Sequence, residues 1–216
     1  MRTKTAMVMG TVVTLGALAY ALALWPALPA RIPTHWDISG RADSWGDKSW
    51  AAFALPAVMA LFVAMMPALP RFSPRGFAVE PFRRTFNFLM LVVVAMFGYL
   101  HVISMQAAVH PGFEMGRMML AGLLLFLALI GNVLGKVRRN FWMGVRTPWT
   151  LASDAVWIAT HRLAARLLVA GSLAGAIALW MGAPVEAGFY LLVTALLIPA
   201  GYSLLLYKRL EREGRA

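Results

Sequence analysis

Six stretches of this chain are apolar over roughly 17 to 25 residues, the length needed to cross the hydrocarbon core of a bilayer. They fall at residues 6–25, 51–70, 85–109, 118–134, 167–185 and 187–207, and none contains Asp, Glu, Lys or Arg. The whole chain of 216 residues is 61% hydrophobic and only 13% charged, against about 25% charged for an ordinary soluble domain. Too little polar surface remains to cover a water-soluble globule. The expected fold is an all-α integral membrane protein of six transmembrane helices. The last two spans are almost contiguous, so they should form a tight antiparallel hairpin. Arg2 and Lys4 precede the first span as they would precede a signal peptide, but its apolar region is long for that role, and a retained helix is expected.

Basic residues orient the bundle. Sixteen of the 20 Lys and Arg lie in residues 1–5, 71–84, 135–166 and 208–216, whereas Arg31, Arg41, Lys48 and Arg117 lie in the opposite connections. The positive-inside rule then places both termini in the cytoplasm. Membrane lipids are the expected partners, since anionic headgroups attract each such residue by about 1 kcal/mol. The net charge of +11 needs no direct nucleic-acid partner. With no cysteine, the chain has no disulfide, thiolate metal site or cysteine nucleophile.

Two segments are too polar to be simple connectors. Residues 28–50 carry Trp36, Trp45 and Trp50, with turn signals at Ser39-Gly40 and Trp45-Gly46. They predict a short, irregular, non-helical cap on the outer face, its tryptophans at headgroup depth. His35 lies near Asp37, Asp43 and Asp47, which raises a metal site. The spacing is not that of a calcium loop, and zinc favours more nitrogen ligands. The expectation is therefore turn-forming, salt-bridging aspartates and a histidine bonded within the loop, with no metal and no cofactor.

Residues 131–166 form the second segment. Gly131 and Gly135 are spaced for close helix contact, Lys136, Arg138, Arg139 and Arg146 follow, and Thr147 to Thr150 read as a turn around Pro148. Ser153 is a candidate N-cap with Asp154 in the first turn, so the fifth helix should start before the membrane. The stretch reads either as an interfacial elbow or as an anion pocket built from Arg138, Arg146, His161 and Arg162. Within the spans, His101 and Gln106 sit toward the outer end of the third helix, and His101 is expected to make an interhelical hydrogen bond. Ion-coupled transporters place charges along their path. The absence of embedded charge and of internal repeats counts against a transporter or channel.

The two segments together resemble a known family. The outer pattern Pro33, His35, Trp36, Gly40, Asp43, Trp45, Lys48 is similar to the N-terminal domain of unknown function often fused to the sporulation-delaying-protein immunity (SdpI-like) proteins. The inner pattern Gly131, Asn132, Gly135, Lys136, Arg138, Asn140, Gly144, Arg146 to Thr150, Ser153, Trp157 and Thr160 to Arg162 resembles that family's second signature. Arg139 stands where the family pattern has proline, and Ala165 where it has glycine. The resemblance implies a multi-pass protein of the bacterial inner membrane that protects against a secreted toxic peptide and draws a cytoplasmic repressor to the membrane. It divides the chain into a two-helix unit at residues 1–70 and a four-helix unit at residues 85–207. Candidate ligand contacts in the outer loop are His35, Trp36, Asp43, Trp45 and Lys48. Candidate anion or partner contacts on the inner face are Lys136, Arg138, Asn140, Arg146, Trp149, Trp157, His161 and Arg162. The alternative is a membrane enzyme or lipid-binding protein acting on phosphate-bearing headgroups, with His161 as acid or base. No nucleophile motif accompanies it, so a non-enzymatic role is expected. Small-residue faces such as residues 171–175 leave oligomerisation open.

Overall fold

A computed structural model describes residues 1–215. Among them are six helices long and apolar enough to span a membrane. Helix α1 (Thr3–Leu24) is followed by strands β1 (Arg31–Trp36) and β2 (Ala42–Asp47), then by α2 (Lys48–Ala68), α3 (Arg83–Val109), α4 (Met115–Leu134), the short α5 (Pro148–Ala152), α6 (Asp154–Trp180) and α7 (Val185–Arg212). Short 3-10 turns at Leu69–Phe72 and Glu80–Phe82 extend α2 and lead into α3. Prolines 56 and 67 lie inside α2 and Pro199 inside α7. Neighbouring helices can satisfy the backbone groups such prolines free.

Helices α1, α2 and α3 pack on one another, as do α4, α6 and α7, and α3 joins the two sets through α4. Three polar residues of α3 hold α1. Asn87 Nδ2 donates to Met1 O (3.1 Å) and Thr3 Oγ1 (3.0 Å), His101 Nε2 to Ala17 O (3.0 Å), and Gln106 Nε2 to the Tyr20 hydroxyl (2.7 Å). The interhelical bond expected of His101 is therefore present. Gly131 meets α6 closely, where an added Cβ would lie 3.0 Å from Leu168 and Val169. Gly135 faces open space and makes no such contact. Large apolar side chains point outward instead, among them Val12, Leu173, Ile177, Trp180, Leu197 and Leu205. A band of that size fits lipid rather than water.

The elements give the bundle two ends. The hairpin, residues 110–114 and residues 181–184 lie at one. The chain start, residues 73–82, residues 135–153 and the end of α7 lie at the other, tied by bonds such as Trp142 Nε1 to Ser73 Oγ (2.9 Å). Among the described residues nearly all the unpaired basic side chains, such as Arg2, Arg75, Arg84, Lys136 and Arg138, gather at this second, basic end.

The cap departs from the irregular loop expected of it. Residues 31–47 form an antiparallel β-hairpin, with Arg31 opposite Asp47 and Trp36 opposite Ala42. Ile32, 1% exposed, packs with Leu28, Ala21, Ala52 and Met105 and pins β1 onto the helices. Ser39-Gly40 makes the turn as its residue types suggest. Gly46 does not turn the chain; it lies within β2 under the Trp50 ring, where a side chain would collide. The other sequence-expected turn also changes character. Thr147 caps a short helix, α5, through a reciprocal capping box with Thr150, because proline at the first helical position is compatible with a helix start.

Candidate functional sites at the two ends

At the hairpin end, register shifts flank His35, and such bulges re-aim side chains. His35 Nδ1 lies 2.6 Å from Asp43 Oδ1 across the strands, with both side chains exposed. Asp37 organises the turn. Its Oδ1 accepts from Ser39 N (2.9 Å), Ser39 Oγ (2.5 Å) and Arg41 N (3.0 Å). The Ser39 hydroxyl, then the Arg41 amide, hold its carboxyl down to a pKa of about 2. Gly40, at φ +81°, lies so close to α4 that a Cβ there would sit 2.6 Å from Gly116 Cα. Glycine on glycine is what permits this contact.

The five sequence-predicted residues separate by role. Lys48 does not face outward; its Nζ donates to Trp25 O and Leu28 O (3.2 Å each) and lies 4.7 Å from the Trp25 ring centroid. It thus caps the carbonyl end of α1, where a cation is favoured. Trp45 presents its ring to the surroundings at 48% exposure, while its carbonyl accepts from Arg31 Nη2. His35 and Trp36 form a ridge between two apolar hollows. One, of about 310 Å³, is walled by α4 and α7 through Met119, Leu123 and Phe189. The other, of about 420 Å³, is walled by α2 and α3 through Ala54, Leu55 and Leu100.

At the basic end, most of the signature residues serve the loop itself. Asn140, fully buried, donates to Arg138 O (2.7 Å) and Met143 O (3.2 Å) and accepts from the amides of Trp142 and Met143. Trp157 Nε1 donates to Val137 O (2.8 Å), and its ring stacks on His161 at 4.0 Å. Both nitrogens of His161 are committed: Nδ1 donates to Trp157 O (2.8 Å), and Nε2 accepts from Val145 N (3.0 Å). This fixes the Nδ1–H tautomer and leaves no nitrogen free for substrate. Trp149 Nε1 donates to Ser203 Oγ, so α5 is clamped to α7. Arg139, which replaces the family proline, donates from Nη1 to Leu151 O (2.8 Å) and lies 2.9 Å from Asp154 Oδ1.

The four residues proposed from sequence for an anion pocket are not all brought together. Arg138, His161 and Arg162 line one cavity of about 830 Å³ with Lys136. Arg146 does not line it; its Nη1 donates to Phe141 O (2.5 Å) on the loop surface. In its place stand Arg2, Arg83, Arg84 and Asn87, which sequence reasoning did not select. The available signal was the Arg83-Arg84 pair at the start of the third span, counted for orientation only.

Residues 136–207 match the SdpI/YfhL protein family. The last third of the chain is thus similar to the SdpI-like proteins. Residues 12–60 match a Domain of unknown function (DUF1648), so the N-terminal partner domain is present as well. A relative is the Immunity protein SdpI of Bacillus subtilis (strain 168), 28% identical over 149 residues, which cover 69% of each chain. No solved structure matches. The first match covers the second half of α1, the hairpin and part of α2, and the second covers α5, α6 and most of α7. Helices α3 and α4 lie between the matches, yet α4 lines both hollows, α3 lines one of them, and α3 carries Arg83 and Arg84 of the basic cavity. Helix α3, grouped from sequence with the C-terminal unit, packs mainly on α1 and α2.

Proposed function

We propose that this protein is an immunity protein of the bacterial inner membrane that receives a secreted toxic peptide at the hairpin end and docks a cytoplasmic regulator at the opposite end. The observation that carries the reading is the His35–Trp36 ridge between two apolar hollows. A membrane-active peptide must present apolar side chains, and a rigid ridge flanked by apolar hollows suits alternate side chains of such a ligand. The relationship to a protein named for immunity points the same way. The orientation rests on the sixteen-to-four division of basic residues.

Two experiments test it. In a bacterium sensitive to a membrane-active toxic peptide, wild type should confer survival, and Trp36→Ala at matched membrane levels should abolish it. Equal survival of the two strains sinks the hairpin as the recognition surface. For orientation, the cysteine-free chain permits single-cysteine labelling. Ser39→Cys should react with an impermeant maleimide in intact cells and Arg75→Cys only after permeabilisation. The reverse pattern would overturn the assignment of sides.

A further inference from the structure

The cavity at the basic end holds an unusual balance of charge. Arg2, Arg84, Lys136, Arg138 and Arg162 line it, from the chain start, the first turn of α3, the loop after α4, and α6. None of these five side chains has a hydrogen-bond or ion-pair partner among the described residues. Glu80, the lone acid in the lining, is already bound by Arg83 at 2.8 Å. The hairpin end is different, because all four of its cations are satisfied internally. Arg31 donates to Trp45 O, Arg41 pairs with Asp37, Lys48 donates to two carbonyls, and Arg117 donates to Leu179 O. General attraction to headgroups explains basic residues near the surface, but not five of them from four separate segments around one hollow of about 830 Å³. Uncompensated like charges repel, and guanidinium groups match the geometry of phosphate oxygens.

A second feature narrows the ligand. Asn87 is fully buried and lines the same cavity. Its Nδ2 is held by Met1 O and Thr3 Oγ1, which fixes the amide orientation and leaves Oδ1 buried with no donor. A buried acceptor left alone costs about 1–3 kcal/mol. The cavity therefore offers cations for an anion and one acceptor for a hydrogen-bond donor.

We propose that this cavity is a binding site for a phosphate-bearing anion that also carries a hydroxyl or ammonium donor. Both the phosphatidylglycerol headgroup and hydrogen phosphate have that chemistry, whereas phosphatidylcholine has the phosphate without the donor. The site is distinct from the hairpin surface and does not depend on the immunity reading.

The full chain, purified in a neutral detergent, is titrated with dioctanoyl phosphatidylglycerol, dioctanoyl phosphatidylcholine or inorganic phosphate at constant ionic strength. Bound ligand is counted by native mass spectrometry, and affinity is read from the shift of the thermal midpoint. Phosphatidylglycerol should bind in preference to phosphatidylcholine. If inorganic phosphate competes with it, the site takes free phosphate too; if not, the headgroup in its lipid setting is the ligand. Replacing Arg84, Arg138 and Arg162 together by Gln should weaken binding at least about tenfold. These side chains are exposed, so helicity should stay unchanged. Arg75→Gln with Arg166→Gln, which removes two unpaired cations outside the cavity, should change affinity less than about twofold, since screening weakens distant charges. Equal weakening by the two sets, no discrimination between the two lipids, or no binding at all would overturn the proposal.

Discussion

Replacing His161 by Ala should destabilise the bundle by about 2–4 kcal/mol, and the structure says where each part comes from. The His161 side chain is 1% exposed, so nothing lost there is regained from solvent. Its Nε2 is the acceptor for the Val145 amide, and leaving that donor without a partner costs about 1–3 kcal/mol. Its ring stacks on Trp157 at 4.0 Å and 21°, a contact contributing about 0.5–1.5 kcal/mol beyond area burial. His161→Phe separates the two parts, since it keeps an aromatic ring against Trp157 but offers no acceptor. It should cost about 1–3 kcal/mol. The assay is reversible unfolding of the purified protein in mixed micelles by titrated sodium dodecyl sulfate, followed by far-ultraviolet circular dichroism. If His161→Ala falls within about 0.5 kcal/mol of wild type, the structural role given to its two nitrogens and its ring is refuted, because that is the range of an ordinary surface substitution. A His161→Phe variant as stable as wild type would refute the hydrogen-bond part alone.

Gly144→Ala should be more damaging than Gly76→Ala in the same assay. Both glycines have positive φ, +107° and +85°, and strain at such a position costs about 1–3 kcal/mol, but only at Gly144 would the new Cβ also strike the His161 ring. Lys48→Met should loosen the hairpin rather than the bundle, costing about 1–3 kcal/mol through two lost bonds from a charged donor. Hydrogen exchange should quicken at Ile32 and Gly46 while the amides of α6 stay protected. The turn should also respond to acid through Asp37. Its folded pKa of about 2 lies below the ordinary 3.8, so its contribution is complete above pH 3.8 and fades as pH falls through about 2. Exchange at the Ser39 and Arg41 amides measures it, and Asp37→Asn should flatten the response.

The six spans were legible because each is a continuous apolar run, a pattern that survives any packing arrangement. The hairpin was not, since its signals conflict. Pro33 lacks an amide, Gly46 weakens strand propensity, and the pairing slips around His35, so strand alternation is broken in the sequence. What forms the hairpin is tertiary: Ile32 seated among α1, α2 and α3, and Gly40 set against Gly116. The same reason limited the reading of the basic end. The signature residues were found because they are dense and close together, but density marked the residues that build the loop. Asn140, Trp149, Trp157 and His161 spend their polar atoms on backbone groups or on Ser203. Arg2, Arg84 and Asn87 reach the cavity from segments far away in sequence, and no local pattern marks them.

The two ends therefore ask for different ligands, and the difference lies in which polar groups are already satisfied. At the hairpin end the cations have internal partners, and His35 and Asp37 are paired with Asp43 and Arg41. Binding there must gain most from apolar contact in the hollows beside Trp36, and it should be little affected by salt. At the basic end Val137 and Trp157 are buried, Trp142, Val145 and Leu151 pack against the core, and the five cavity cations are left without partners. Binding there must gain from charge and weaken as salt rises. A sequence count of basic residues cannot separate these cases, because Lys48, committed to two carbonyls, and Lys136, committed to nothing, contribute to it equally.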